Sequence, residues 1–152
     1  MTAPPALSIR VQTQDFDSGA ELALLEAGSG AVASFTGIVR GDDGLVAMTL
    51  EHYPAMTEKA LHEVAAEAFK RWPVHAATII HRVGRLEPGA RIVLVAVSSS
   101  HRHAALEACA FLIDWLKTRA PFWKLEEFSD GRRQWVEARN SDDEAARRWG
   151  AH

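Results

Sequence analysis

Five basic side chains in this sequence have the types and the placing to handle anions and protons: Arg40, His101, Arg102, Lys117 and Lys124. Lys117 and Lys124 stand on either side of Pro121. Proline disfavours helical geometry in the residue before it and donates no backbone hydrogen bond. A helix carrying Lys117 must therefore stop there, with Lys117 in its last turn and Lys124 in an extended segment that folds back. Cations gathered in this way lower one another's pKa, so that one amine can act as nucleophile or proton carrier while the other holds an anion. A lysine at a helix C-terminus also has a plain structural use, which is to complement the macrodipole.

His101 and Arg102 follow a run of aliphatic residues and open the same helix. Backbone N–H groups at a helix start form an anion site, to which an Arg fork and an imidazole donor add selectivity for phosphate. A capping histidine beside a solvated arginine is the structural alternative. His101 and His103 stand two apart, a spacing that makes helical side chains diverge, and no cysteine or carboxylate completes a ligand set. No metal and no cofactor is therefore expected. Trp115, Phe122 and Trp123 could stack on a flat ligand, although core packing is the commoner use of such rings. The sequence contains neither a glycine-rich phosphate loop nor a GxSxG elbow.

The elements that must position these groups follow from periodicity. Residues 7–13 alternate as a short strand, and Ser18 with Glu21 reads as a capping box opening a helix to about residue 27. Residues 31–40 alternate again, and the polar turn at 41–44 predicts a hairpin with a second strand at 45–53, which leaves Arg40 at a strand end. Leu61, Val64, Ala65, Ala68 and Phe69 recur at helical spacing over residues 55–72, and Pro73 closes that helix. Residues 78–83 read as a strand and 87–89 as a turn. The unbroken aliphatic run at 92–97 reads as a central strand covered on both faces.

The helix at 101–119 carries a wide apolar stripe through Ala105, Ala108, Cys109, Leu112, Trp115 and Leu116. Phe111 and Ile113 widen it further, which predicts that part of this surface meets another subunit. Residues 122–128 and 134–138 read as strands joined by the turn 129–131, and Ser141 with Glu144 as a capping box for a terminal helix to residue 149. Alternating strands and helices with two hairpins predict an α+β class, in one domain over residues 1–152.

Composition removes several function classes. A chain of 152 residues that is 47% hydrophobic can bury a real core. Its formal charge of -3 leaves no electrostatic footprint for nucleic acid. No apolar run approaches a membrane span and the N-terminal stretch lacks a signal-peptide core, so the expected place is the cytoplasm. The single cysteine, Cys109, permits no internal disulfide. It shares a face with Ala105 and Leu112, so it should be buried and unreactive.

Four segments, SSSHRHAALEA, LKTRAPFWK, FTGIVR and LEHYPAMTEKAL, resemble corresponding segments of the catalytic (large) subunits of molybdopterin synthase, over about residues 31–149. The resemblance implies an α/β hammerhead fold with a mixed sheet, hairpins and covering helices, around a homodimer core. It implies a small ubiquitin-like sulfur-carrier subunit as partner in a heterotetramer. The carrier's C-terminal thiocarboxylate would supply two sulfurs that convert cyclic pyranopterin monophosphate to the dithiolene of molybdopterin. By similarity Lys117 and Lys124 are catalytic, Lys117 reaching the carrier C-terminus and Lys124 lying at the substrate. Arg40, His101 and Arg102 would bind the pterin phosphate, and Ile38, Val39, Leu125 and Glu126 would add mainly backbone contacts. The turn 41–44 is shorter than the loop the family implies. The rival reading is a non-enzymatic module that docks a ubiquitin-like partner, with the two lysines holding an acidic tail.

Overall fold

The computed structural model describes residues 7–136 and 146–150. In chain order the elements are β1 (Leu7–Gln12), α1 (Ser18–Glu26), β2 (Ala31–Ile38), a 3-10 turn (Asp42–Gly44), β3 (Leu45–His52), α2 (Pro54–Arg71), β4 (Val74–Arg82), β5 (Gly84–Leu86), β6 (Arg91–Ser99), α3 (Arg102–Thr118), β7 (Phe122–Phe128) and β8 (Arg133–Val136). They build two four-stranded sheets, ordered β1-β4-β6-β2 and β5-β3-β7-β8. The first sheet is mixed, since β1 runs parallel to β4 while the other pairs are antiparallel. The α+β class expected from the sequence is borne out.

The aliphatic run of β6 has its reason in this arrangement. Val93, Val95 and Val97 face α2 and α3, where they meet Leu61, Val64, Ala105 and Leu112. Leu94 and Ala96 face the other way, toward Phe16, Ile80 and Leu25 of α1. Both faces are dry, so neither tolerates a polar residue.

Three local expectations are corrected. The hairpin predicted around the turn 41–44 does not form: β2 pairs with β6, while β3 pairs with β5 and β7. Register breaks at Gly37/Ile38, after which the Val39 N–H donates to the Ala90 carbonyl and the Gly89 N–H donates to the Val39 carbonyl, each at 2.9 Å. Asp43 at φ 57 and Gly44 at φ 80 then turn the chain into the second sheet. Turn chemistry marks where a chain bends, whereas the strand partner is chosen by long-range packing.

The capping box at Ser18 is the second correction. The N-cap is Asp17, whose side chain accepts from the Ala20 N–H at 3.1 Å. Glu21 is drawn to Arg10 on β1 instead of reaching back to the helix start. The third concerns Phe111, whose surplus apolar surface is covered by its own chain. Trp72 and Trp149 lie 5.3 and 5.6 Å from its ring, and the Arg71 guanidinium lies 4.8 Å over it. Trp149 is held in place by its indole N–H, which donates to Asp114 at 2.6 Å. The expected hairpin of β7 and β8 is present. Residues 137–138 of the expected last strand, and 141–145 of the expected terminal helix, lie outside the described residues.

Candidate active site

The two sheets and the C-terminal end of α3 border a partly open cavity of about 510 Å³, a size that suits a small molecule. Lys117 reaches it from the last turn of α3. Lys124 reaches it from β7, as the break at Pro121 predicts. Alternation along β7 aims Phe122, Lys124, Glu126 and Phe128 at the cavity, with Lys124 opposite Leu50 and Glu126 opposite Met48 of β3. Ile38 and Arg40 lie at its rim from the end of β2. Arg40 is exposed and sits 3.4 Å from Asp42, an ion pair of little strength in water.

The remaining residues expected at the site are placed differently. Val39 is buried among Leu45, Met48, Leu50 and Leu86, and its N–H is spent on Ala90. Leu125 is also buried, cross-strand from Thr49 and Trp135 on the face of β7 that alternates away from Lys124. Neither side chain lines the cavity. His101 and Arg102 line a separate shallow pocket at the start of α3, with Gly30, Ala31, Ser100 and His103. From residue 102 to residue 117 the helix rises about 22 Å at ~1.5 Å per residue. Within one chain, therefore, His101 and Arg102 do not join Arg40 and the lysines. His101 occupies the N-cap position in extended geometry, yet its side chain makes no capping hydrogen bond. Gly30 is required there, because a Cβ would come within 2.2 Å of the Ser100 carbonyl oxygen.

The aromatic candidates separate as well: Trp115 belongs to the core, whereas Phe122 and Trp123 line the cavity. Cys109 is 5% exposed in the core, where burial pushes its thiol up to about 12, so it is no nucleophile.

One cavity residue escaped the sequence reading. His81, near the end of β4, lines the cavity and stacks on Phe122, with ring centroids 3.8 Å apart and planes 12° from parallel. Its Nδ1–H donates to the Arg82 carbonyl at 2.8 Å. Burial lowers its pKa to about 4 against the opposing pull of the Arg82 carbonyl, and the nearby Lys117 and His52 side chains lower it further. The available signal was a lone imidazole in the aliphatic strand ATIIHR.

Residues 11–119 match the family of the MoaE protein. The chain belongs to the MoaE family. The molybdopterin synthase catalytic subunit of Mesorhizobium japonicum is 51% identical to it over 154 residues, covering 98% of this chain and 97% of the relative. That of Pseudomonas aeruginosa is 56% identical over 149 residues, covering 94% and 99%. The structure of the molybdopterin biosynthesis MoaE protein from Burkholderia ambifaria matches with a TM-score of 0.81 at 53% identity, over 96% of this chain and 99% of that one. The family inferred from the sequence motifs is thus borne out. In this MoaE chain the lysines that the motifs single out converge on one cavity, and Lys117 has no hydrogen-bond or ion-pair partner among the described residues.

Proposed function

We infer that this chain is the catalytic subunit of a molybdopterin synthase, a sulfurtransferase of molybdenum cofactor biosynthesis. Its substrate is cyclic pyranopterin monophosphate, and the sulfur comes from the C-terminal thiocarboxylate of a small ubiquitin-like carrier. The observation that carries this reading is the convergence of Lys117 and Lys124, from two different elements, on a cavity the size of a small molecule. A purely docking surface would have no use for a cleft of small-molecule size beside its lysines.

Each half of the reaction moves one sulfur from an anionic acyl donor to a carbon of an anionic substrate. The cations offset the repulsion between the two, and an amine in reach of the acyl group can carry the proton that each transfer requires. The chain's own thiol is buried away from the cavity, so the sulfur must arrive activated on the carrier.

Two copies of the chain work together in this reading. His101 and Arg102 lie too far along α3 to meet the cavity of their own chain, so they reach a shared substrate from a second copy. Exposed apolar side chains are available for such contact, among them Tyr53, Trp135 and Leu106. With one carrier bound per catalytic chain, the assembly is a heterotetramer. No helix among the described residues is long and apolar enough to cross a membrane, and we assign the reaction to the cytoplasm.

The test is reconstitution of the purified protein with cyclic pyranopterin monophosphate and thiocarboxylated carrier, followed by dithiolene formation. The expected result is product at two sulfurs consumed per molecule. No product with a carrier that is competent in a control reaction sinks the assignment.

A further inference from the structure

The groups around the cavity that carry full charge are Lys117, Lys124 and Arg40 as donors, with Glu126, Asp42 and Asp43 as anionic acceptors. His81 differs from all of them. Its tautomer is fixed, because the Arg82 carbonyl can only accept and Nδ1 must therefore carry the proton. Its plane is fixed as well, by the stack on Phe122 at 3.8 Å, and Phe122 is itself backed by His52 at 5.9 Å. The Nδ1 edge is turned to its own strand, which leaves the distal edge for the cavity that the ring lines. No described residue donates a hydrogen bond to Nε2. The residue as a whole is only 8% exposed, yet Nε2 is not sealed off: it opens on the cavity, where a ligand N–H or O–H that donates to it would take the place of solvent.

We propose that His81 is a further substrate-positioning residue of this site: its Nε2 accepts a hydrogen bond from an N–H or O–H of the heterocycle bound in the cavity. This rests on the reading that the cavity holds the pterin substrate. The lysines and Arg40 recognise charge, which many small anions share. A rigid neutral acceptor recognises a ring donor at one position, and so sets the orientation in which the reacting carbons face the carrier tail. Burial and the nearby Lys117 cation disfavour imidazolium, so the acceptor persists at physiological pH.

Two substitutions separate this role from a structural one, because an Asn amide nitrogen stands where Nδ1 was and a Gln amide oxygen stands near Nε2. In the complex with thiocarboxylated carrier, His81→Asn keeps the bond to Arg82 and loses the distal acceptor. Its KM for cyclic pyranopterin monophosphate should rise about tenfold with carrier affinity unchanged, and His81→Gln should restore most of the loss. A wild-type KM in His81→Asn, or a greater defect in His81→Gln than in His81→Asn, overturns the proposal. A second measurement needs no variant. In the wild-type complex with carrier lacking the thiocarboxylate, the His81 Nε2 nitrogen resonance should be that of an unprotonated nitrogen from about pH 5.5 to 8, and should shift when substrate is added. Substrate binding seen by calorimetry with an unmoved Nε2 resonance also overturns it. Wild-type turnover in the same assay keeps the two readings apart, since absence of product from wild type counts against the proposed function itself.

Discussion

Replacing His81 by phenylalanine should change how stability depends on pH, by an amount that follows from the geometry around the ring. His81 is 8% exposed, and its pKa is lowered from 6.5 to about 4, chiefly by burial. A histidine with a depressed folded pKa is neutral in the folded state while the unfolded chain takes up a proton. As pH falls through 6.5 the unfolded state is therefore favoured, and the loss of stability saturates below pH 4. With those two pKa values the loss is about 2 kcal/mol at pH 5 and about 3 kcal/mol at full protonation. Phenylalanine keeps the stack on Phe122 and cannot titrate, but it leaves the Arg82 carbonyl without its donor, at a cost of about 1–3 kcal/mol at every pH. Urea unfolding at pH 7.5 should thus find His81→Phe less stable than wild type, and at pH 5 the gap should shrink by about 2 kcal/mol. Other titrating groups contribute equally to both proteins and cancel in the difference. Parallel stability profiles would show that His81 protonates normally in the fold, and the account of a neutral acceptor in the cavity would be wrong.

Lys117→Ala and Lys124→Ala should each lower dithiolene formation by at least about a hundredfold, while calorimetric melting temperatures fall by no more than about 2 °C; a lost fold with full specific activity in the folded fraction would remove their catalytic role. Mixing Lys117→Ala chains with Arg102→Ala chains should restore about a quarter of wild-type activity, since half the dimers are then mixed and each mixed dimer has one intact site; no recovery despite mixed dimers would place both residues in one chain's site. Cys109→Ala should keep its activity with thiocarboxylated carrier and lose about 1 kcal/mol of stability to the small cavity, whereas a folded, ligand-binding variant without turnover would implicate the thiol. Light scattering of the isolated protein at micromolar concentration should give a dimer, and a monomer unaffected by dilution would contradict the shared substrate site.

Local chemistry alone determined a good deal of this protein. The proline at 121 placed Lys117 in a last helical turn and Lys124 on a strand, because the constraint it exerts on its neighbours needs no distant contact. Cys109 was legible as a core residue from its helical face, and β6 as a central strand from its unbroken aliphatic run. Partnership was not legible. Alternation in residues 31–40 and 45–53 tells which side chains share a face, but hydrogen bonding to any neighbouring strand satisfies the backbone equally well, and only packing sent β2 to β6 and β3 to β7. Phe111 was readable as apolar, yet what covers it was settled by Trp149, 38 residues along the chain. His81 entered the cavity for the same kind of reason. In sequence it is one polar residue near a strand end, and only the approach of Phe122 and Lys117 from elsewhere gave it a stacking partner and a cation. The tertiary structure also divided what the motifs had joined: His101 and Lys117 lie on one continuous helix, and the length of that helix, which a string of letters does not display as distance, puts them at opposite ends of the molecule's chemistry.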